Sequence, residues 1–194
     1  MAMNAFALFQ TPRGRELLGA LQPRGSHSAA EAIMTSDTFP KEVAVVVRHG
    51  GRSVYIGGIA KGAGMIHPNM ATTLCFITTD AAVSAAALRR ALKTAVNQSF
   101  NRISVDGDMS TNDTVLALAN GLAGPLPPAK FQEALNYVCL ELAKMIVRDG
   151  EGVTKFVTLD ITGAANDRDA HIAARAVGNS VLVKTSWCGG DPNW

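Results

Sequence analysis

Residues 58–80, GIAKGAGMIHPNMATTLCFITTD, constrain the fold of this chain more than any other segment. The two glycines and the proline of KGAGMIHP favour a bend in the chain. The LCFI run that follows is typical of a buried strand. The sequence therefore predicts that Ala71 and Thr72 lie between a bend and a rigid strand.

This placement of Thr72 suits a nucleophile that is generated by cleavage of the chain. A threonine hydroxyl is a weak nucleophile and needs a nearby base, and its own α-amino group can serve only after the Ala71–Thr72 bond is broken. His67, in the same bend, is a second candidate base, although a structural role is the simpler interpretation. Without further context, a threonine before an apolar run is more often an ordinary strand residue than a nucleophile.

Four longer motifs give a more specific indication. In chain order they are KGAGMIHPNMATTLCFITTDA, SFNRISVDGDMSTNDTVLALANG, RDGEGVTKFVTLDITGAA and VLVKTSWCGGDPNW. Over about residues 29–194 the sequence resembles the glutamate N-acetyltransferase family, also called the ornithine acetyltransferase or ArgJ family. The resemblance implies a self-cleaving, multifunctional enzyme of arginine biosynthesis, in which a new N-terminal threonine carries acetyl from N-acetylornithine to glutamate. It implies no cofactor and a cytoplasmic location.

The resemblance also implies the residues of the site. Thr72 aligns with the nucleophile, and the Ala71–Thr72 bond aligns with the cleavage site. Thr35, Lys61 and Glu151 align with residues that contact the substrate. Their chemistry fits amino-acid ligands, because the Lys61 ammonium suits a carboxylate and the Glu151 carboxylate suits an amine.

The motifs predict a division of the chain into three parts. Residues 1–28 are expected to be an unmatched extension, residues 29–71 the end of the family's first subunit, and residues 72–194 the beginning of its second. The resemblance places the oxyanion-hole Thr-Gly pair upstream of this chain and two further substrate contacts beyond Trp194. We therefore expect a fold truncated at both ends, which needs a complementary subunit or family chain, within a hetero-oligomer of cleaved subunits.

Local patterns predict alternating strands and helices. Apolar and β-branched runs predict strands at 43–47, 54–56 (a hairpin through HGGR), 74–78, 103–105 and 156–161. Helical spacing and caps predict helices at 81–99 (capped by Asp80), 114–120 (stopped by Gly121), 131–146 and 169–177, with a linker at 124–130. Because these elements interleave without Rossmann or P-loop glycines, the predicted class is a layered α/β sandwich, resembling the ArgJ or N-terminal-nucleophile-like fold.

Composition excludes several classes of function. A net charge of +2 and 6% aromatic residues argue against binding to nucleic acid or a membrane surface, and the apolar runs are shorter than the roughly 18 residues of a membrane span. The three cysteines lack zinc or disulfide spacing. The acidic loop 106–113 begins like a calcium loop, but Thr111 and Ala117 occupy the positions that need glycine and glutamate, so no metal site is predicted and the loop is expected to act as scaffolding near the site.

Three functional interpretations remain open at this point. The first is the glutamate N-acetyltransferase. The second is a truncated, catalytically inactive homologue that keeps the core sequence of that family. The third is an amidase or aminopeptidase that uses the same N-terminal threonine, against which the paired acid and lysine contacts argue.

Overall fold

The computed structural model describes residues 24–67, 73–108 and 112–191, together with residues 12, 16, 19 and 22. Within them the chain forms four strands and five α-helices, in the order α1 (Ser26–Ala32), β1 (Lys41–His49), β2 (Arg52–Lys61), β3 (Leu74–Ala81), α2 (Ala85–Asn97), β4 (Thr114–Gly124), α3 (Pro128–Arg148), α4 (Asp167–Gly178) and α5 (Val181–Gly189). This confirms the predicted α/β class.

The four strands form one sheet in the order β1-β2-β3-β4. The first two pairs are antiparallel, and β3 pairs with β4 in parallel. Gly50 and Gly51 close the predicted β1–β2 hairpin with φ angles of 57° and 75°, which glycine adopts without strain. The segment 62–73 therefore connects the two central strands of the sheet.

One face of the sheet packs against helices. The long helix α3 lies across β1 and β2, and α2 packs beside α3. Gly58 allows this close approach, because a Cβ there would lie 3.0 Å from the Leu142 side chain and 3.2 Å from the Phe76 carbonyl oxygen. The largest fully buried apolar side chains of this core are Val54, Ile56, Ile66, Ile77, Leu135, Val138, Leu142 and Ile146.

The opposite face of the sheet presents exposed apolar side chains. Alternate residues of a strand point to opposite faces, and Val46, Tyr55, Leu116, Leu118 and Leu122 are all exposed, Leu122 to 84%. The helices α2 and α3 therefore cover only one of the two faces.

The predicted helix at 114–120 is wrong. These residues belong to β4, which runs parallel to β3 from the Leu74–Thr114 pair to the Thr79–Ala119 pair. The Leu- and Ala-rich composition favours a helix, but pairing with a distant strand overrides that preference. Gly121 lies inside the strand, at a φ angle of 78°, and does not end a helix.

Asp80 does not cap a helix either. The strand β3 continues to Ala81, and the Asp80 carboxylate accepts a hydrogen bond from the Tyr55 N–H at 2.8 Å. The helix starts later, with Ser84 as the cap that accepts from the Ala87 N–H. The linker 124–130 is correspondingly shorter than predicted, since α3 begins at Pro128.

Two predicted strands are absent from the described structure. Residues 103–105 and 156–161 run without sheet partners, although the Val105 N–H donates to the Ile66 carbonyl. Helices α1 and α5 carry no sequence prediction, whereas the hairpin, β3, α3 and α4 lie where the sequence places them.

The three cysteines are free thiols, of which Cys75 and Cys139 are buried and Cys188 is exposed. Burial raises the pKa of the Cys139 thiol to about 12, so this thiol stays protonated at neutral pH.

Among the described helices, none combines the length and the apolar character that crossing a membrane requires.

Candidate active site

The predicted nucleophile and the bond before it lie outside the described residues, and the chain resumes at the next residue, Thr73. Thr73 is buried, with 4% of its surface exposed, and precedes the first residue of β3. Its N–H donates to Asp113 Oδ1 at 2.7 Å, and its carbonyl accepts from the Thr114 N–H at 2.9 Å. The residue that follows Thr72 is therefore held on both sides of its own backbone.

Lys61 and Thr35 are in direct contact. Lys61 is the last residue of β2, pairs with Leu74 across the central strands and is buried. Its Nζ donates to Thr35 Oγ1 at 2.7 Å, across 26 residues of sequence. The structure thus brings together two of the residues that the resemblance assigns to the substrate.

Glu151 lies against the turn that follows Lys61. Its N–H donates to the Ala63 carbonyl at 2.8 Å. Its carboxylate lies so close to Gly64 that a Cβ on that glycine would be 2.7 Å from the carboxylate carbon. Glu151 is itself exposed. Lys61 therefore precedes the turn at residues 62–66 and contacts Thr35, and Glu151 contacts the same turn at Ala63 and Gly64.

The acidic loop holds the chain on both sides of residues 67–72. At its first end, Asp106 accepts from the Met65 N–H at 2.6 Å and from the Ile66 N–H at 3.1 Å. At its other end, Asp113 accepts from the Thr73 N–H. The sequence predicts a scaffolding role for this loop, and in the structure its two aspartates bind the backbone of the adjacent segments. In the described part of the chain no group of three or more acidic, His or Cys side chains is arranged to hold a metal ion.

Sequence reasoning places Asp113 in the scaffolding loop but gives it no contact of its own. Burial raises the pKa of its carboxyl above the usual value, against the opposing influence of the Thr73 N–H and the nearby Lys61 ammonium. Its Oδ2 is buried and accepts no hydrogen bond from the described residues. The parallel pairing of β3 and β4 brings Asp113 beside Thr73, so this contact does not follow from the local sequence.

His67 is held by a cation. Its Nε2 lies 3.0 Å from Nη2 of Arg175, and because a guanidinium only donates, this ring nitrogen accepts. Burial and the Arg175 charge lower the pKa of His67, so the imidazole is neutral at pH 7. These contacts favour the structural interpretation of His67 over a role as the base.

The fold and this arrangement of residues define an α/β protein with a cluster of charged and polar side chains at the junction of its two central strands. The sequence profile of the ArgJ family matches residues 9–194. The chain belongs to the ArgJ family. The match begins at residue 9, earlier than the start at about residue 29 that the motifs predict.

Individual relatives agree with this assignment. The chain is 57% identical over 187 residues to the arginine biosynthesis bifunctional protein ArgJ of Symbiobacterium thermophilum, which covers 93% of this chain and 46% of that protein. It is also 57% identical over 174 residues to the glutamate N-acetyltransferase of Methanocaldococcus jannaschii, covering 87% and 43%. The chain therefore spans about half the length of these relatives.

A solved structure shows the same fold. The crystal structure of the arginine biosynthesis bifunctional protein ArgJ from Bacillus halodurans superposes with a TM-score of 0.58 at 48% sequence identity. The superposition covers 61% of this chain and 59% of that chain. The predicted resemblance is confirmed at the level of both sequence and fold.

Proposed function

We propose that this chain carries the catalytic threonine of a glutamate N-acetyltransferase that moves acetyl from N-acetylornithine to glutamate in arginine biosynthesis. The proposal is supported by two contacts beside the start of β3: Lys61 donates to Thr35, and Glu151 contacts Ala63 and Gly64 in the turn that follows Lys61. Membership of the ArgJ family supports it, as does the name of the Methanocaldococcus jannaschii relative.

The charges of the site match an amino-acid ligand. In this proposal the Lys61 ammonium binds a substrate carboxylate, and the Thr35 hydroxyl, already bonded to Lys61 Nζ, adds a second polar contact. Glu151, which contacts the turn at Ala63 and Gly64, binds the substrate amine. Opposite charges beside one turn would fix both ends of a zwitterionic substrate and so orient its acetyl group.

The first chemical step of the proposal is self-cleavage. The Thr72 hydroxyl attacks the Ala71 carbonyl carbon, and the peptide C–N bond breaks as an ester forms, with the hydroxyl proton passing to the nitrogen that becomes the free α-amino group of Thr72. Water then hydrolyses the ester, which leaves a carboxylate on Ala71 and restores the Thr72 hydroxyl.

Acetyl transfer follows in two half-reactions. The Thr72 α-amine takes the hydroxyl proton while the oxygen attacks the acetyl carbonyl of N-acetylornithine, and ornithine leaves with that proton on its amine. The amine of glutamate then attacks the acetyl ester on Thr72, the ester C–O bond breaks to release N-acetylglutamate, and a proton from that amine restores the Thr72 hydroxyl. No metal, nucleotide or acetyl-CoA takes part in this sequence of steps.

The proposed reaction needs hydrogen-bond donors for the negatively charged oxygen that develops during attack. Such donors contribute about 10²–10³ in turnover when measured by removing one. We propose that a complementary family chain supplies them, within a cytoplasmic hetero-oligomer of cleaved subunits. The chain alone would then transfer acetyl far more slowly than the assembled protein.

The experiment compares the wild-type chain with Thr72→Ala and Thr72→Ser, each with and without the complementary part of a relative. Intact-mass spectrometry detects cleavage, and isotope-labelled N-acetylornithine reports the fate of acetyl. We expect cleavage and labelled N-acetylglutamate from the wild type, reduced rates from Thr72→Ser, and neither from Thr72→Ala.

The alternatives give different results in the same experiment. Labelled acetate without N-acetylglutamate would identify an amidase. An assembled wild-type protein that neither cleaves nor transfers would identify an inactive homologue. Transfer undiminished in Thr72→Ala would show that another residue is the nucleophile.

A further inference from the structure

A buried cluster of charges lies directly behind the Thr35–Lys61 contact. It consists of Asp37, Lys41 and Asp149, whose side chains are 0%, 0% and 2% exposed. Lys41 Nζ donates to Asp37 Oδ1 at 2.6 Å and also to Asp149 Oδ2. The three residues come from the loop after α1, the start of β1 and the end of α3. None of them belongs to the residues assigned to the substrate.

Two carboxylates share one ammonium in this cluster, so the second negative charge depends on neutral donors. Burying a charge without compensating hydrogen bonds is costly. Asp37 receives the Gly62 N–H at 2.7 Å and the Thr35 N–H at 3.1 Å. Asp149 receives both the N–H and the hydroxyl of Thr38.

These donors keep Asp37 ionised. Burial alone would raise the pKa of its carboxyl, but the hydrogen bonds from the Gly62 N–H and from Lys41 outweigh that effect and hold the pKa below its usual value. The carboxylate is therefore charged at neutral pH, and its two oxygens remain fixed acceptors for the backbone.

The identity of the backbone donors indicates what the cluster does. Asp37 binds the N–H of Thr35 and the N–H of Gly62, the residue after Lys61. It thus holds the two segments whose side chains meet in the Thr35–Lys61 hydrogen bond. Through Lys41 it is also joined to Asp149, two residues before Glu151, so all three substrate-assigned residues are tied to one buried group.

We propose that Asp37 is a positioning residue for substrate binding, which fixes Thr35 and Lys61 relative to each other by accepting hydrogen bonds from the backbone of both segments. The inference rests on the proposed function, because it concerns the residues that would hold the substrate. A role in stability alone would require neither of these two amides in particular, since buried ionic groups are often replaceable by apolar ones without loss of stability.

Two substitutions separate the acceptor from the charge. Asp37→Asn keeps one oxygen, which can still accept from Gly62 and Lys41, but turns an amide group toward the Thr35 N–H. Asp37→Ala removes every acceptor. Asp80→Asn is the matched control, because Asp80 also accepts a backbone N–H, from Tyr55, at the opposite end of β3.

The measurements are amide hydrogen exchange of the full chain by NMR, and the dissociation constant for N-acetylornithine by calorimetry on the chain assembled with the complementary part of a relative. In Asp37→Ala we expect exchange at the Thr35 and Gly62 amides to rise by at least about tenfold, the scale of a lost charge-assisted hydrogen bond, with exchange in the core of α3 unchanged. The dissociation constant should rise by about tenfold. Asp37→Asn should protect the Gly62 amide more than the Thr35 amide and restore part of the affinity, and Asp80→Asn should match the wild type.

Exchange that rises evenly through α3 would show a purely structural role and overturn the proposal. So would faster exchange at the two amides with unchanged affinity for N-acetylornithine. A wild-type chain that does not bind N-acetylornithine even when assembled with the complementary part of a relative would contradict the proposed function, whereas the role of Asp37 in holding the two segments would still be decided by exchange at Thr35 and Gly62. Asp37→Asn carries the test if Asp37→Ala does not fold.

Discussion

Substitution of Gly64 by alanine should displace the Glu151 carboxylate and leave the fold intact. The added Cβ would lie 2.7 Å from the carboxylate carbon and from Oε2, and 2.9 Å from Oε1. Ordinary van der Waals contact begins at 3.4 Å, so the carboxylate has to move by roughly 0.7 Å or more, given the size of a carbon contact. The three atoms nearest to the added Cβ all belong to this flexible, exposed side chain.

The cost of that movement falls on binding and not on stability. Surface substitutions that strain nothing change stability by less than about 0.5 kcal/mol, and replacing glycine by alanine also restricts the unfolded chain. A hydrogen bond to a charged group contributes about 1.5–3 kcal/mol. Because Glu151 is exposed and therefore screened, we take the lower end, about 1.5 kcal/mol, which corresponds to roughly a tenfold loss of affinity for N-acetylornithine in the proposed function.

Calorimetric binding of N-acetylornithine and urea unfolding of the same samples test this prediction. Gly189→Ala is the control, because a Cβ there would meet no atom within 4 Å. Glu151→Ala supplies the second arm, and adding Gly64→Ala to it should cause no further loss, since the displaced group is gone. If Gly64→Ala lowers the affinity for N-acetylornithine equally in the wild type and in Glu151→Ala, the reasoning is refuted.

Three further outcomes are expected. Asp113→Asn should slow self-cleavage by about tenfold, because it weakens the hydrogen bond from the Thr73 N–H. Asp108→Asn, in the same loop, should leave the rate unchanged. Equal cleavage rates for the two variants in intact-mass time courses would contradict this. Burial would raise the pKa of Asp149, but hydrogen bonds from Lys41 and Thr38 outweigh it and lower the pKa. The ionised carboxylate therefore stabilises the fold above pH 3.8, and this contribution is lost as the pH falls through the lowered pKa. Asp149→Asn should accordingly flatten the acid dependence of the urea midpoint below about pH 4. Gly58→Ala should lower the free energy of unfolding by about 1–3 kcal/mol through overpacking beneath α3, and an unchanged urea midpoint would contradict this.

The parts of the fold that the sequence predicts correctly depend on local physics. The β1–β2 hairpin follows from Gly50 and Gly51, whose positive φ angles are what a tight turn between antiparallel strands requires. Helix α3 follows from an apolar stripe long enough to bury Phe131, Leu135, Val138, Leu142 and Ile146 on one side. Neither inference needs knowledge of a distant residue.

The errors occur where distant contacts decide. The segment Thr114–Gly124 has a helix-like composition but pairs with β3, and the 103–105 and 156–161 segments resemble strands but have no partners in the described structure. The same limit applies to the site. Resemblance points to Thr35, Lys61 and Glu151, but the Lys41–Asp149 contact spans 108 residues of sequence, and no periodicity or local motif predicts it.

The position of the proposed cleavage bond has a consequence for the order of events. Residues on its N-terminal side supply β1, β2, Thr35 and Lys61, and residues on its C-terminal side supply β3, α3 and Glu151. The β2–β3 ladder from the Ile56–Thr79 pair to the Lys61–Leu74 pair crosses between the two sides.

The buried Lys41–Asp149 ion pair also crosses between the two sides, as does the packing of α3 on β1 and β2. Each side of the bond is therefore positioned by contacts with the other. In the proposed mechanism Thr72 can be aimed at the Ala71 carbonyl only after those contacts have formed. In that proposal cleavage follows folding, and the two pieces stay joined by the same sheet, core and ion pair that hold the two sides together.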